Sequence, residues 1–246
     1  MNLEHLSEKN LASYIDHTLL KPEATKQQVR KICEEALDYH FFAVCVNSGM
    51  ISTCREILRS SKVQIASVVG FPLGASDSAS KAFEANRAVN LGATEIDMVL
   101  NIGALKAGEF NFVERDIFDV VRAAEGKIVK VILETCFLTD DEKRKACEIS
   151  MKAGAHFVKT STGFGTLTNG VSTMGAMTNG ATVEDIQLMK SVVGSSLKIK
   201  ASGGIRDFKT AKNLILAGAV RLGTSSGVAL VRGLVKTNTN EHQGEY

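Results

Sequence analysis

The chain contains no tryptophan and only two prolines in 246 residues. Pro22 and Pro72 form no proline-rich linker, and no low-complexity stretch divides the sequence, so nothing marks a boundary between two folded units. Its cysteines, Cys33, Cys45, Cys54, Cys136 and Cys147, are odd in number and include no Cys-x-x-Cys pair. That spacing argues against a disulfide framework or a zinc knuckle and in favour of reduced thiols. The histidines are scattered, without His-x-His or His-Glu-x-x-His spacing, so no metal site is expected. An excess of one charge is lacking too. A net charge of +2 gives no broad field for nucleic acid or an anionic membrane, and attraction for an anion must be local. No apolar run is long enough to cross a bilayer. The segment Met1–Asn10 carries Glu4, Glu8 and Lys9 rather than an apolar signal core, so the expected location is the cytoplasm.

What is present is a repeating alternation. Short β-branched, apolar runs occur at Tyr14–Leu19, Phe41–Val46, Val63–Val69, Thr94–Leu100, Lys127–Glu134, His156–Thr160, Leu197–Ala201 and Ala219–Gly223. Between them lie stretches with apolar residues at helical spacing, among them Lys26–Asp38, Ser78–Leu91, Phe112–Ala124, Asp140–Ala153, Val183–Val193 and Asp207–Ala217. Several end in Gly, as at Gly92, Gly154 and Gly218, where a helix would be capped. Alternating strands and helices imply parallel pairing with right-handed crossovers. An open doubly wound sheet would favour a Gly-rich turn after the first strand. Here that strand runs into Asp16-His17-Thr18-Leu19-Leu20-Lys21-Pro22 instead. Eight such units in a chain of this length predict a single-domain (β/α)₈ barrel over residues 1–235, followed by a polar tail at 236–246.

Barrel enzymes carry their chemistry at the C-terminal ends of the strands. Polar residues expected there are Asp16 and Thr18, Glu95 and Asp97, Lys130 and Glu134, Lys159 and Thr160, and Lys198 and Lys200. Side chains alternate along a strand, so Ile96 and Met98, or Val158 and Thr160, face away when Asp97 and Lys159 face the axis. Isolated buried charges must pair or neutralise. For Glu95, Lys130, Glu134 and Lys198 a salt-bridge network filling the barrel is as good a reading as catalysis. Two lysines at one mouth, Lys159 and Lys200, are expected to disfavour each other's charged form, which would supply a neutral amine as nucleophile. Ser202-Gly203-Gly204-Ile205-Arg206 and Gly223-Thr224-Ser225-Ser226-Gly227 are glycine-rich turns after the last two strands, a common phosphate site in barrels. His17 and His156 are expected to face helices, and Cys45 to be a small core residue.

Together these segments resemble the deoxyribose-phosphate aldolases. The resemblance runs through Tyr-Ile-Asp-His-Thr-Leu-Leu-Lys-Pro at 14–22, Val-Val-Gly-Phe-Pro-Leu-Gly at 68–74 and Glu-Ile-Asp-Met-Val-Leu-Asn-Ile-Gly at 95–103. It continues in Lys-Val-Ile-Leu-Glu-Thr at 130–135, Phe-Val-Lys-Thr-Ser-Thr-Gly-Phe at 157–164 and Lys-Ala-Ser-Gly-Gly-Ile-Arg at 200–206, in order and over nearly the whole chain. The resemblance implies cleavage of 2-deoxy-D-ribose 5-phosphate to acetaldehyde and D-glyceraldehyde 3-phosphate, with no metal or organic cofactor. It implies that Lys159 forms the Schiff base, that Lys200 tunes it and moves protons, and that Asp97 is an acid/base. Asp16, Thr18 and Thr160 are expected at the substrate, and Gly163, Gly203, Gly204, Arg206, Gly223, Ser225 and Ser226 around its phosphate. Nucleic acid and membrane are not expected partners; a homodimer or homotetramer is. The alternatives are another Schiff-base sugar-phosphate aldolase and a catalytically impaired barrel that only binds sugar phosphate.

One departure stands out. Gly165-Thr166 is followed by Leu167–Asn179 before Gly180-Ala181-Thr182-Val183-Glu184-Asp185, where the family pattern runs on almost directly. The repeat of Thr-Asn-Gly at 168–170 and 178–180 suggests a short duplication inserted at about 167–178, after the lysine strand. The expectation is a tolerated loop, with a lid over the site as the sharper reading. Tyr246, at the end of the tail, is a minority candidate for assisting proton transfer.

Overall fold

A computed structural model describes residues 8–165 and 180–233. Its strands are β1 (Ile15–Leu19), β2 (Ala43–Val46), β3 (Gln64–Val69), β4 (Glu95–Val99), β5 (Ile128–Ile132), β6 (Phe157–Lys159), β7 (Lys198–Ser202) and β8 (Arg221–Thr224). They form a closed barrel in sequence order, every neighbour parallel, with β8 pairing back onto β1. Around it lie α1 (Glu8–Ala12), α2 (Lys26–Asp38), α3 (Ile51–Leu58), α4 (Ser78–Leu91), α5 (Ile102–Lys106), α6 (Phe110–Ala123), α7 (Asp140–Lys152), α8 (Val183–Val193) and α9 (Phe208–Ala217). Residues 227–233 are also helical. The inserted stretch 167–178, the tail 236–246 and Tyr246 lie outside the described residues.

The helices start where side chains can replace missing backbone partners. Thr25 and Gln28 close a capping box on α2, and Thr139 and Glu142 close another on α7. Asp77, Thr182 and Asp207 cap α4, α8 and α9. Gly92 and Gly218 end α4 and α9 as anticipated.

Strand alternation divides the barrel into two chemistries. Outward residues such as Ile15, Val44, Ile96, Met98, Val129, Val131, Val158, Ile199 and Leu222 pack beneath the helices in the main hydrophobic core. The inward set is different. A small apolar cluster of Leu20, Cys45, Ala66 and Val68, flanked by Phe71, occupies one side of the mouth. Most of the charged strand residues are also inward, interleaved with Val99, Ile132 and Phe157. The last strand is displaced from its expected position: Ala219 and Val220 are spent closing the turn after α9, with Ala219 N–H donating to Leu214 and Val220 N–H to Ile199. Arg221 therefore begins β8 and points inward with the other charged residues.

Candidate active site

Seven charged side chains meet inside the barrel. Asp97 Oδ1 accepts from Lys130 at 2.6 Å, and its Oδ2 accepts from Lys159 at 2.8 Å and from Lys200 at 2.9 Å. Lys200 also donates to Asp16 Oδ2. Arg221 joins Asp16 Oδ1 at 2.7 Å to Glu95 Oε1 at 3.1 Å, and Lys130 lies 2.6 Å from Glu95 Oε2. Below them Arg221 stacks over Phe42, its guanidinium carbon 3.5 Å from the ring centroid. Lys200 and Arg221 thus each bridge two of the three carboxylates Asp16, Glu95 and Asp97, and Lys130, 3.9 Å from Asp16, reaches all three. Lys159 holds one carboxylate only and is the fourth cation against three anions.

Register explains the convergence. Asp97 stands beside Lys130, Lys159 beside Lys200, and Lys200 beside Arg221 on adjacent strands. Burial works against the charge on Asp97, but Lys130, Lys159 and Lys200 outweigh it and hold the carboxyl well below the usual range. Asp16 is lowered for the same reason, with Lys200, Arg221 and Lys130 overcoming its burial. Lys200 goes opposite to the expectation of a depressed amine. Burial would lower it, yet Asp16 and Asp97 hold it above the ordinary lysine value. Asp97 Oδ2 lies between the two lysines and accepts from both.

Above the cluster opens a cavity of about 240 Å³. Of the seven charged residues only Lys159 lines it. The opposite wall is made by Gly203, Gly204 and Arg206 after β7 and by Gly223, Ser225 and Ser226 at and after β8. Thr224 ties these two turns together, its hydroxyl donating to the Ile205 carbonyl at 2.8 Å and accepting from Ser226 N–H at 2.9 Å. Two glycines are required by close approach. A Cβ on Gly223 would stand 3.1 Å from Lys200 Cε, and one on Gly180 would stand 2.3 Å from the Gly203 carbonyl oxygen.

The sequence-derived candidates separate by depth. Lys159, Thr18, Gly163, Gly203, Gly204, Arg206, Gly223, Ser225 and Ser226 all face the cavity. Lys200 and Asp97 lie directly beneath it, fully buried. Asp16 does not line the cavity, and its oxygens accept from Lys200 and Arg221. Thr160 is likewise displaced, because β6 ends at Lys159. Its hydroxyl is spent between strands, donating to the Ser202 carbonyl and accepting from Ser202 N–H. Glu95 and Lys130 belong to the salt-bridge network, whereas Lys198 is exposed at the start of β7. His17 faces α2, 2.6 Å from Glu35, and His156 Nδ1 accepts from Val129 N–H. Sequence reasoning missed Arg221, although alternation with Gly223 inside the expected strand 219–223 gives it the inward face. It also missed Lys21, Thr162 and Phe164 as cavity residues. Among the described residues no group of three or more His, Cys, Asp or Glu is arranged to hold a metal ion, and no helix is long and apolar enough to cross a membrane.

A closed eight-strand barrel whose buried ion cluster presents one lysine, Lys159, to the cavity is the arrangement of barrel lyases that act through a lysine. The family model for DeoC/LacD family aldolases matches residues 11–234, and the chain belongs to that family. Deoxyribose-phosphate aldolase of Bdellovibrio bacteriovorus is 55% identical over 223 residues, covering 91% of this chain and 96% of the relative. That of Carboxydothermus hydrogenoformans is 53% identical over 234 residues, covering 94% and 97%. The tetrameric deoxyribose phosphate aldolase structure from Aeropyrum pernix superposes with a TM-score of 0.83 at 32% identity, covering 94% of this chain and 93% of that one.

Proposed function

We infer that the chain reversibly cleaves 2-deoxy-D-ribose 5-phosphate to acetaldehyde and D-glyceraldehyde 3-phosphate through a Schiff base on Lys159. The observation that carries this reading is the position of Lys159: the one cavity-facing member of the cluster, and the cation without a second carboxylate. Removing one proton from the cluster leaves three cations balanced by three anions. The uncharged amine of Lys159 then attacks the sugar's aldehyde carbon C1, and loss of water gives the protonated imine. Asp97, ionised beneath it, serves as counter-ion to that imine. Lys200 shares Asp97 Oδ2 with Lys159 and is an ammonium placed to give a proton in these steps and to take it back. When the proton leaves the C3 hydroxyl, the C2–C3 bond breaks. Its electron pair moves into the imine, giving an enamine and releasing the three-carbon phosphate. Protonation of the enamine at C2 and hydrolysis return Lys159 and acetaldehyde.

The ends of the cavity suit the ends of this substrate. Backbone N–H groups of the glycine turns, the N-terminus of the helix at 227–233, and Arg206 and Lys21 favour a phosphate. Leu20, the member of the small apolar cluster that lines the cavity, suits the two-carbon fragment. A homodimer or homotetramer in the cytoplasm is part of this reading. The exposed aromatic residues Phe83 on α4 and Phe110 and Phe112 on α6 support self-association.

The test is product analysis. Incubation with 2-deoxy-D-ribose 5-phosphate is expected to yield acetaldehyde and triose phosphate in equal amounts. Binding without turnover would contradict the reading, as would a ketose-phosphate preference. Arg206→Ala is expected to raise KM for the phosphorylated sugar about tenfold, the size of a lost charge-assisted bond, with little change for 2-deoxy-D-ribose itself. Equal effects on both sugars would remove Arg206 from the phosphate site.

A further inference from the structure

Glu134 follows β5 and, among the described residues, bonds none of the cluster's cations. Its backbone sits at φ 54° and ψ 63°, in the left-handed region that non-glycine residues rarely occupy. Its side chain is almost fully buried. Both carboxylate oxygens lie 3.2 Å from the Thr162 amide nitrogen, and the Thr162 hydroxyl donates to Oε2. That hydroxyl in turn accepts from the Phe164 N–H at 3.0 Å. A Cβ on Gly165 would stand 3.1 Å from Glu134 Cδ and 2.8 Å from Cys136 Sγ, so the chain passes directly against this group.

The contacts of Glu134 therefore fall on the segment that leaves Lys159. Thr162, Gly163 and Phe164 form the cavity wall next to the lysine, and Phe164 meets the ring of Phe71 edge-on at 5.4 Å. The other side of the same segment is held by Ser202, whose hydroxyl donates to the Ser161 carbonyl at 2.6 Å. A buried carboxylate on a strained backbone is costly for a barrel. Here its bonds fix a cavity wall.

We propose that Glu134 is a positioning residue for carbon–carbon cleavage, setting the Thr162–Phe164 wall against the sugar phosphate held by Lys159. This rests on the aldolase reading above. Glu134 hydrogen-bonds the wall and not the amine. It therefore governs how the five-carbon substrate is seated, while a two-carbon aldehyde condenses with Lys159 without its help.

The experiment compares Glu134→Ala, Glu134→Gln, Thr162→Val and the Glu134→Ala/Thr162→Val double variant with the unmodified chain. Two readouts are taken: borohydride trapping of acetaldehyde on Lys159, and KM and kcat for cleavage of the sugar phosphate. Trapping is expected to stay within about twofold throughout, while Glu134→Ala and Thr162→Val each raise KM about tenfold or more. The double variant should be no worse than either single one, because both remove the same contact. Glu134→Gln keeps an acceptor for the Thr162 N–H and is expected to keep KM within about threefold. An unchanged KM in folded Glu134→Ala and Thr162→Val would overturn the proposal, as would fully additive effects. Trapping and KM falling together would also overturn it, since that is the mark of a merely structural role. If Glu134→Ala does not fold, Thr162→Val alone decides the question. Absence of trapping in the unmodified chain would strike down the aldolase reading itself, and the proposal with it.

Discussion

At the residue scale the chemistry depends on how seven charges share partners. Arg221 completes the ring of paired groups by joining Asp16 to Glu95. Arg221→Met would leave two buried carboxylates short of a cation, and breaking such a pair costs about 3–5 kcal/mol. Urea denaturation is expected to show a loss of that size, and a loss below about 1 kcal/mol would mean that the cluster relaxes around the gap. The same groups set the pH range of stability. Asp16 and Asp97 are held below their ordinary value of 3.8, so their contribution is complete above it and is lost as pH falls through their lower folded values. Lys200 is held above its ordinary value of 10.5, so its contribution is complete below 10.5 and is lost only as pH rises past its folded value. Unfolding midpoints should be nearly flat with respect to this cluster between about pH 5 and 9 and drop on the acid side. A midpoint that declines steadily from neutrality upward would contradict these assignments. Lys159, Lys200 and Asp97 were legible in the sequence because each is a charge between apolar neighbours on a strand. The charge state of Lys200 was not, because it depends on carboxylates from β1 and β4 that are distant in the chain.

At the scale of elements, helix extents followed closely from local signals. α2, α4 and α8 begin where Thr25, Asp77 and Thr182 cap them. Thr139→Ala removes the capping box of α7, at a cost of about 1 kcal/mol. Its melting temperature is expected to fall by about 2–4 °C with kcat unchanged, since α7 begins on the outer layer; a loss of kcat would show that α7 communicates with the cavity. Strand ends were harder to read, because hydrogen bonds to distant neighbours fix them. β6 stops at Lys159, and the Thr160 hydroxyl bonds the Ser202 backbone in the β6–β7 seam. β8 starts at Arg221 and not at Ala219, where the apolar run begins. Short helices such as α3 and α5 carry too few turns for a clear apolar period.

At the scale of the whole molecule, the order of strands was readable from repetition, since eight β/α units in sequence order have one simple closed arrangement. Closure is what makes the site. It brings Asp16 on β1 against Arg221 on β8, 205 residues apart in the chain, and places the glycine turns opposite Lys159. The central claim is that this closed ring of charge presents one reactive amine. The most direct test is borohydride reduction in the presence of acetaldehyde, followed by mass mapping of the peptides. The account predicts a single ethyl adduct on Lys159, lost when that residue is replaced. An adduct confined to Lys200, or no site-specific adduct, would contradict it.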